Sequence, residues 1–199
     1  AQELNNAGHP RRVTCVARVN QNTVVTGCYD YYVRRVALDD LDEDGAPRLY
    51  PIGQHGATVN CVARLDEDHV VSGSNDNTLA IWNWRTREQV ALYEGHTDSV
   101  SCVAKLDEHH IVSGSHDSTL HLWNRETRER VSTMEDHVGR VTCVAKLTDD
   151  LVVSGGEDGT LRLWNRNGEV RHTGGHGAPV SCVARLRDDR FISGSRNGT

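Results

Sequence analysis

The sequence predicts an all-β fold made of repeated units, each with four short strands. The apolar string Val-x-Cys-Val-Ala occurs five times, and further β-rich runs separated by polar turn residues follow its copies. No segment keeps apolar residues at helical spacing, and Ser-Gly pairs interrupt the runs, which argues against helices. Short strands at regular spacing are typical of a sandwich, a barrel or a propeller.

The repeated strings define the order of elements in each unit. Successive copies of the first string begin about 40 residues apart, at Val13, Val59, Val100, Val141 and Val180. In the second repeat, the β-rich runs are residues 59–65, 69–73, 78–83 and 89–93, and the turn Asn75-Asp76-Asn77 separates the second run from the third. The third run ends in a Trp-Asn dipeptide, which also occurs in the third and fourth repeats.

Composition excludes several classes of function. The net charge is −6, which argues against a general nucleic-acid-binding protein. No apolar run approaches the roughly 18 residues of a membrane span, and no glycine-rich phosphate loop is present. Six histidines outside the repeated positions, at 69, 109, 110, 116, 121 and 172, lack the spacing of a zinc site, and we expect them to be exposed. We therefore predict no cofactor, no nucleic acid and no membrane partner.

Cysteine usage bears on the cellular compartment. Five of the six cysteines hold one repeated position, at Cys15, Cys61, Cys102, Cys143 and Cys182. Equivalent positions in neighbouring repeats are not expected within disulfide reach, so each cysteine is interpreted as a small buried strand residue. Free thiols predict a reducing, intracellular compartment such as the cytoplasm.

A histidine stands four residues before each leading Val, at His9, His55, His96, His137 and His176. A period near 40 residues, four strands, a leading Gly-His and a Trp-Asp-like dipeptide together resemble the WD-repeat β-propeller family. The resemblance covers nearly the whole chain, although the dipeptide is Trp-Asn and two histidines follow Gln54 and Asp136 rather than Gly. It implies a β-propeller of four-stranded antiparallel blades, with four blades and a partial fifth in this chain.

The resemblance also implies the organisation of the chain. Residues 1–199 form a single WD-repeat propeller or propeller fragment, with blades at about 9–52, 55–94, 96–135 and 137–174 and a partial blade at 176–199. Because a propeller closes its ring to remove exposed edges, we expect a longer propeller or a homo-oligomer that completes the ring. A five-bladed ring with an incomplete last blade is the alternative.

In this family a His, a Ser or Thr, an Asp and the Trp form a buried hydrogen-bonded network within each blade. Carried over by position, three blades have complete sets: His55, Ser72, Asp76 and Trp82; His96, Ser113, Asp117 and Trp123; His137, Ser154, Asp158 and Trp164. His, Ser and Asp are also the residues of a hydrolase triad. An active site is normally unique, however, and these serines lie within strands rather than on an exposed elbow. The sets are therefore interpreted as structural, and the protein as not an enzyme.

One acidic loop breaks the pattern of repeats. Asp40, Asp42, Asp44 and Gly45 match the opening of a calcium-binding loop, but Pro51 stands where a bidentate acidic ligand belongs. A solvated acidic loop at 39–45 is the favoured interpretation. Calcium binding there, or a ligand in the central channel, is the alternative function.

The favoured function is a protein–protein interaction scaffold that presents loop faces of a rigid propeller to partner proteins. In this family the loop with His and the turn with Asp lie on one face, where partner contacts concentrate. Side chains predicted there are polar and differ between blades: Arg12, Tyr29, Thr58, Asn60, Asn75, Ser99, His116, Arg140 and Glu157. On the opposite face, Trp84 is an unrepeated aromatic residue and a further candidate contact, because exposed Trp is enriched at binding hot spots.

Overall fold

A computed structural model of the chain describes residues 11–186 and 190–198. The regular structure of this part consists of β-strands in five antiparallel sheets, which confirms the predicted all-β fold. Four sheets have four strands each and the last has two. Strands follow chain order within every sheet, so each sheet is a simple meander that forms one blade.

The bounds of the strands repeat from blade to blade. The first blade contains β1 (Val13–Arg18), β2 (Thr23–Cys28), β3 (Tyr32–Leu41) and β4 (Pro47–Gln54). The second contains β5 (Val59–Arg64), β6 (His69–Ser74), β7 (Leu79–Asn83) and β8 (Glu88–Tyr93). The third contains β9 (Val100–Lys105), β10 (His110–Ser115), β11 (Leu120–Asn124) and β12 (Arg130–Met134). The fourth contains β13 (Val141–Lys146), β14 (Leu151–Gly156), β15 (Thr160–Asn165) and β16 (Val170–Gly175), and the fifth β17 (Val180–Arg185) and β18 (Phe191–Ser195).

Burial follows the position of each strand within its blade. The second strands of the first four blades are buried along almost their whole length, whereas every residue of the outer strand β16 is exposed. The first strands pack in succession, β1 beside β5, then β9, β13 and β17. Apolar residues of adjacent blades form shared clusters, as where Val33 of the first blade joins Ala80 and Trp82 of the second. The blades therefore stack face to face around a line of inner strands, as in a β-propeller.

The repeated Val and Gly positions interlock adjacent blades. A Cβ added to Gly73 would lie 2.5 Å from Val100 Cγ1 of the next blade and 2.8 Å from Cys61 Sγ. A Cβ added to Gly27, Gly114 or Gly155 would likewise lie 2.5 to 2.6 Å from the following leading valine. Any larger residue would displace the next inner strand, because packed cores do not absorb such overlap. This contact explains why Val-x-Cys and Ser-Gly or Thr-Gly recur together.

A hydrogen bond reinforces each interlocked contact. Ser101 Oγ lies 3.0 Å from Gly114 O in its own blade and 2.5 Å from Val141 O in the next. Thr142 Oγ1 is similarly placed toward Val180 O at 2.6 Å, and Asn60 Nδ2 donates to Val100 O at 2.9 Å. The residue after each leading Val thus links two blades.

Replacing Ser101 with Ala is expected to destabilise the protein by about 1 kcal/mol, because the carbonyl of Val141 loses its side-chain donor. This corresponds to a decrease of roughly 2–4 °C in Tm for a chain of this size. Ser181→Ala is the matched control, since the exposed Ser181 donates to Gly194 O within its own blade. Equal decreases in Tm for the two variants would contradict a linking role for Ser101.

None of the six cysteines, which all lie within the described residues, forms a disulfide, and their burial differs along the row of blades. Cys102 is buried, and burial raises the pKa of its thiol to about 12, so it stays protonated at neutral pH. Cys182 on β17 is exposed instead. The expected reducing compartment and the completion of the ring by further blades or a second copy stay predictions.

Within the described ranges, none of the regular elements is a helix of the length and apolarity that a membrane crossing requires.

Candidate functional site

The third blade brings its four network side chains together. The indole Nε1 of Trp123 donates to Ser113 Oγ at 2.8 Å, and His96 Nε2 lies 2.8 Å from the same oxygen. The other ring nitrogen of His96 lies 2.8 Å from Asp117 Oδ2. The chain of contacts thus runs from the core to the turn between β10 and β11, and satisfies each buried polar group in it.

The second and fourth blades repeat this geometry closely. Both the Trp–Ser and His–Ser distances are 2.7 Å, and the His–Asp distance is 3.0 Å in each blade. The residues concerned are those carried over from the family: His55, Ser72, Asp76 and Trp82, and His137, Ser154, Asp158 and Trp164.

The network carboxylates are held in the ionised form. Burial opposes ionisation of Asp117, but hydrogen bonds from His96, Thr119 and the Thr97 amide outweigh it and keep its pKa well below the ordinary value. The Thr97 amide donates to Oδ2 at 3.0 Å, and the Thr119 amide donates to Oδ1 at 2.9 Å. Each Asp therefore fixes the His loop and its own turn on one face of the blade.

The network cannot act as a hydrolase triad in this geometry. Ser72, Ser113 and Ser154 have no exposed surface, and each Oγ is already in contact with an indole and an imidazole. A nucleophile has to be within reach of its substrate, which full burial prevents.

The incomplete blades use other contacts. In the first blade Val36 replaces Trp, and Asp30 forms a bidentate pair with Arg34 at 2.9 and 2.7 Å; the expected His9 lies outside the described residues. In the fifth blade His176 Nε2 lies 2.7 Å from Ser193 Oγ, and Asn197 Nδ2 donates to His176 O at 3.2 Å.

On the face that carries the turns, one backbone hydrogen bond recurs in all five blades. The amide before the turn Asp or Asn donates to the residue before the leading Val, at 2.9 to 3.1 Å. It places two non-repeated residues side by side in each blade: Arg12 with Tyr29, Thr58 with Asn75, Ser99 with His116, Arg140 with Glu157, and Pro179 with Arg196. We call this surface the turn face.

Most predicted partner contacts are accessible on the turn face. Arg12, Asn75 and Arg140 are exposed, Tyr29 is 51% exposed, and Ser99, His116 and Glu157 are half-buried. The prediction that Thr58 contacts a partner is wrong, because Thr58 is only 8% exposed and offers a partner little surface. Asn60 is half-buried, with its amide bonded to Asn75 Oδ1 at 2.6 Å as well as to the next blade.

The prediction that Trp84 is an exposed contact on the opposite face is also wrong, because its side chain is buried and only 4% exposed. Its indole donates to Glu67 O at 3.1 Å, and its ring packs in the cluster that contains Val19 of the first blade. The equivalent Arg125 donates instead to Asp66 of the blade before it, at 2.6 Å. Asn20 stands where Asp66 would be in the first blade, so an apolar contact replaces an ion pair there.

The prediction that the histidines outside the repeated positions are exposed is wrong for His121, which is 3% exposed. Its ring stacks on His96 at 3.9 Å between centroids, nearly parallel at 3°. Burial, then the nearby His96 and Arg130, lower its pKa to about 3. Sequence reasoning missed it because only the register of β10 and β11 places it opposite Ser113.

The acidic loop does not form the calcium site that the sequence offered as the alternative to a solvated loop. Asp42 Oδ1 accepts hydrogen bonds from the amides of Asp44 and Ala46, which closes the turn between β3 and β4. Asp40 bonds to the Tyr50 hydroxyl and pairs with Arg48 at 3.3 Å. Among the described residues no group of three or more His, Cys, Asp and Glu side chains could hold a metal ion. The carboxylates stabilise their own hairpin instead of converging.

Comparison with known proteins identifies the family. The profile of the WD domain, G-beta repeat family matches four segments, residues 48–83, 87–124, 128–165 and 168–199. Each of the first three begins within or just before the outer strand of one blade and ends with the third strand of the next, so the sequence repeat and the blade are out of phase. A search of curated proteins found no match. Because the four matched segments cover most of the chain and the sheets form propeller blades, the protein belongs to the WD-repeat family.

Proposed function

We propose that this protein is an interaction scaffold that binds partner proteins on the turn face and has no catalytic role of its own. WD repeats generally mediate protein–protein interaction. The observation that carries the proposal is the contrast between the repeated hydrogen-bonded network, which forms a constant frame, and the variable residues of the turn face. The network geometry is nearly identical in three blades, whereas the paired residues on the turn face differ in every blade.

The chemistry of the turn face supports this function. Arg12 lies over the ring of Tyr29 at 5.9 Å, and Arg140 is 3.8 Å from Glu157. Each of the other three pairs contains at most one ionisable side chain. Tyr and Arg are the residue types that most often dominate binding energy at interfaces. Rigid blades hold these side chains in fixed relative positions, which lowers the entropic cost of binding.

Site-specific photo-crosslinking tests the proposal. A benzophenone amino acid is placed at Tyr29, which is 51% exposed on the turn face, or at Val131, which is 52% exposed on the outer strand β12. We expect discrete protein adducts from a cell extract with the probe at position 29 and none with the probe at 131. Equal labelling at both positions, or none at 29, would overturn the proposal.

Substitutions on the turn face should separate binding from stability. We expect the double variant His116→Ala, Arg140→Ala to weaken partner binding about tenfold or more. Its Tm should change by less than roughly 2 °C, because the exposed Arg140–Glu157 pair contributes little to stability. The measurement is recovery of the adducts formed at Tyr29, beside a thermal melt. A large decrease in Tm with unchanged adducts would place these side chains in the frame instead.

A further inference from the structure

One position next to the network differs among the four-stranded blades. It lies on the third strand, paired in register with the network hydroxyl, and is occupied by Arg34, Ala80, His121 or Arg162. Three of these blades have a nitrogen-bearing side chain there, and in two of them it is an arginine bonded to the turn Asp. Only the second blade has a methyl group there.

Two blades show what a guanidinium does at this position. In the fourth blade Arg162 Nη1 donates to Asp158 Oδ2 at 2.8 Å, and its Nε donates to Asp136 Oδ2 at the same distance. In the first blade both terminal nitrogens of Arg34 donate to the carboxylate of Asp30. An arginine at this position thus pairs with the turn carboxylate of its own blade.

The second blade has an open cavity at this place. It has a volume of about 270 Å³ and is lined by Gln54, Asp76, Ala80, Trp82, Gln89 and Leu92, among others. We call it the Ala80 cavity. The side chain of Asp76 is 19% exposed, against 9% for Asp158, which Arg162 covers. The missing side chain at position 80 therefore leaves the carboxylate accessible.

The lining of the Ala80 cavity suits a long cationic side chain. The carboxylate of Asp76 supplies negative charge, and the amide oxygens of Gln54 and Gln89 are further acceptors. Trp82 is a further lining residue whose aromatic ring attracts cations, and Leu92, which is 44% exposed, can contact an alkyl stem. The cavity is slightly smaller than the roughly 300–1,000 Å³ of typical drug-sized sites, which fits a single side chain.

We propose that the Ala80 cavity binds an arginine side chain of a partner protein, whose guanidinium takes the place that Arg162 fills in the fourth blade. The proposal rests on the proposed scaffold function and names one chemical group that a partner would supply. Gly56 of the His loop and Asp76 of the turn both line the cavity, so the cavity adjoins the turn face.

The existing contacts of Asp76 are compatible with this additional partner. Asp76 already accepts hydrogen bonds from the amides of Gly56 and Thr78 and from the Thr78 hydroxyl, and contacts His55. Asp158 has the equivalent contacts with Val138, Thr160 and His137 and still accepts Arg162. A guanidinium is preferred to an ammonium because its planar fork can donate to the carboxylate and an amide oxygen together.

Binding of short peptides to the whole chain tests the proposal directly. The probes are acetyl-Ala-Arg-Ala-amide and the same peptide with citrulline or lysine in place of arginine, titrated by NMR. Citrulline keeps the shape but lacks the charge, so we expect binding at least about tenfold weaker than that of the arginine peptide. Shifts should centre on the Trp82 indole and the Gln54 and Gln89 amides. Equal affinity for the citrulline or lysine peptide would overturn the assignment to arginine.

Two variants at position 80 fill the cavity in different ways. Ala80→Arg supplies the guanidinium within the chain, and Ala80→Leu fills the space without charge. We expect both folded variants to lose binding of the arginine peptide, and Ala80→Arg to have the higher Tm of the two. Retained binding in Ala80→Leu, or no binding to the unmodified protein, would overturn the proposal. These results are independent of crosslinking at Tyr29, so failure of the cavity and failure of the scaffold function can be distinguished.

Discussion

Trp123→Ala should destabilise the protein more than any other single change considered. The side chain is 2% exposed, and its ring contacts Tyr93, His96 and His121. Truncation of a buried aromatic costs about 3–5 kcal/mol, and loss of the indole donor to Ser113 adds about 1–3 kcal/mol. Since an ordinary domain is stable by about 5–15 kcal/mol, we expect Tm to fall by roughly 10 °C or more, measured by calorimetry.

Two further variants separate the contributions of Trp123. Trp123→Phe keeps most of the ring but removes the donor, and should cost less than Trp123→Ala. Val131→Ala removes an exposed apolar side chain from the same blade and should change Tm little. If Trp123→Ala lowered Tm by only a degree or two, the network would not stabilise this blade.

Acidification should destabilise the protein through His121 before it protonates the network carboxylates. The folded-state pKa of His121 is about 3, below the value of about 6.5 in an unfolded chain, so the unfolded state binds the proton more readily. Stability is therefore complete above about pH 6.5 and falls as pH decreases from there toward 3. At 1.36 kcal/mol per unit, His121 alone accounts for a loss of roughly 3 kcal/mol by pH 4.

His121→Ala tests this origin, because the second blade already has Ala80 at the equivalent position. The variant loses the stacking on His96 at neutral pH, but its stability should decline less between pH 7 and pH 4. The measurement is urea unfolding at several pH values. Parallel pH profiles for both proteins would exclude His121 as the source. Below about pH 4 both should unfold further, since Asp76, Asp117 and Asp158 have lowered pKa values and lose their stabilising charge on protonation.

The fold could be predicted because most blades repeat the same local signals. The leading Val, the Ser-Gly or Thr-Gly pair and the Trp-Asn dipeptide each report a contact that recurs, such as that of Val100 with Gly73. Strand type and order therefore follow from the pattern alone. His55, Ser72 and Asp76 could be named through the family resemblance, and the structure brings them within hydrogen-bonding distance.

The remaining features depend on single residues that differ from one blade to the next, which periodicity does not encode. Trp84 is buried because it packs in a cluster with Val19 of the preceding blade, whereas the equivalent Arg125 pairs with Asp66. The Ala80 cavity exists because one small side chain stands opposite Ser72 while Arg162 stands opposite Ser154. Differences of this kind involve one residue in an otherwise constant set of blades. A single sequence shows that such a residue varies, but not what the change does to its contacts.

The phase difference between sequence repeat and blade has a consequence for how such a gene can lengthen. Duplication of the segment 87–124 would insert a copy of β8 as the new outer strand of the second blade. The copied β9 to β11 would then take the displaced original β8 as their own fourth strand, as β9 to β11 take β12 now. Every blade would still have four strands, because each copied segment gives its first strand to the preceding blade and receives a fourth strand from the segment that follows. Each copy would also bring a leading Val for the glycine before it and a glycine for the Val after it. Tandem copying therefore preserves both hydrogen bonding and packing at the new junction.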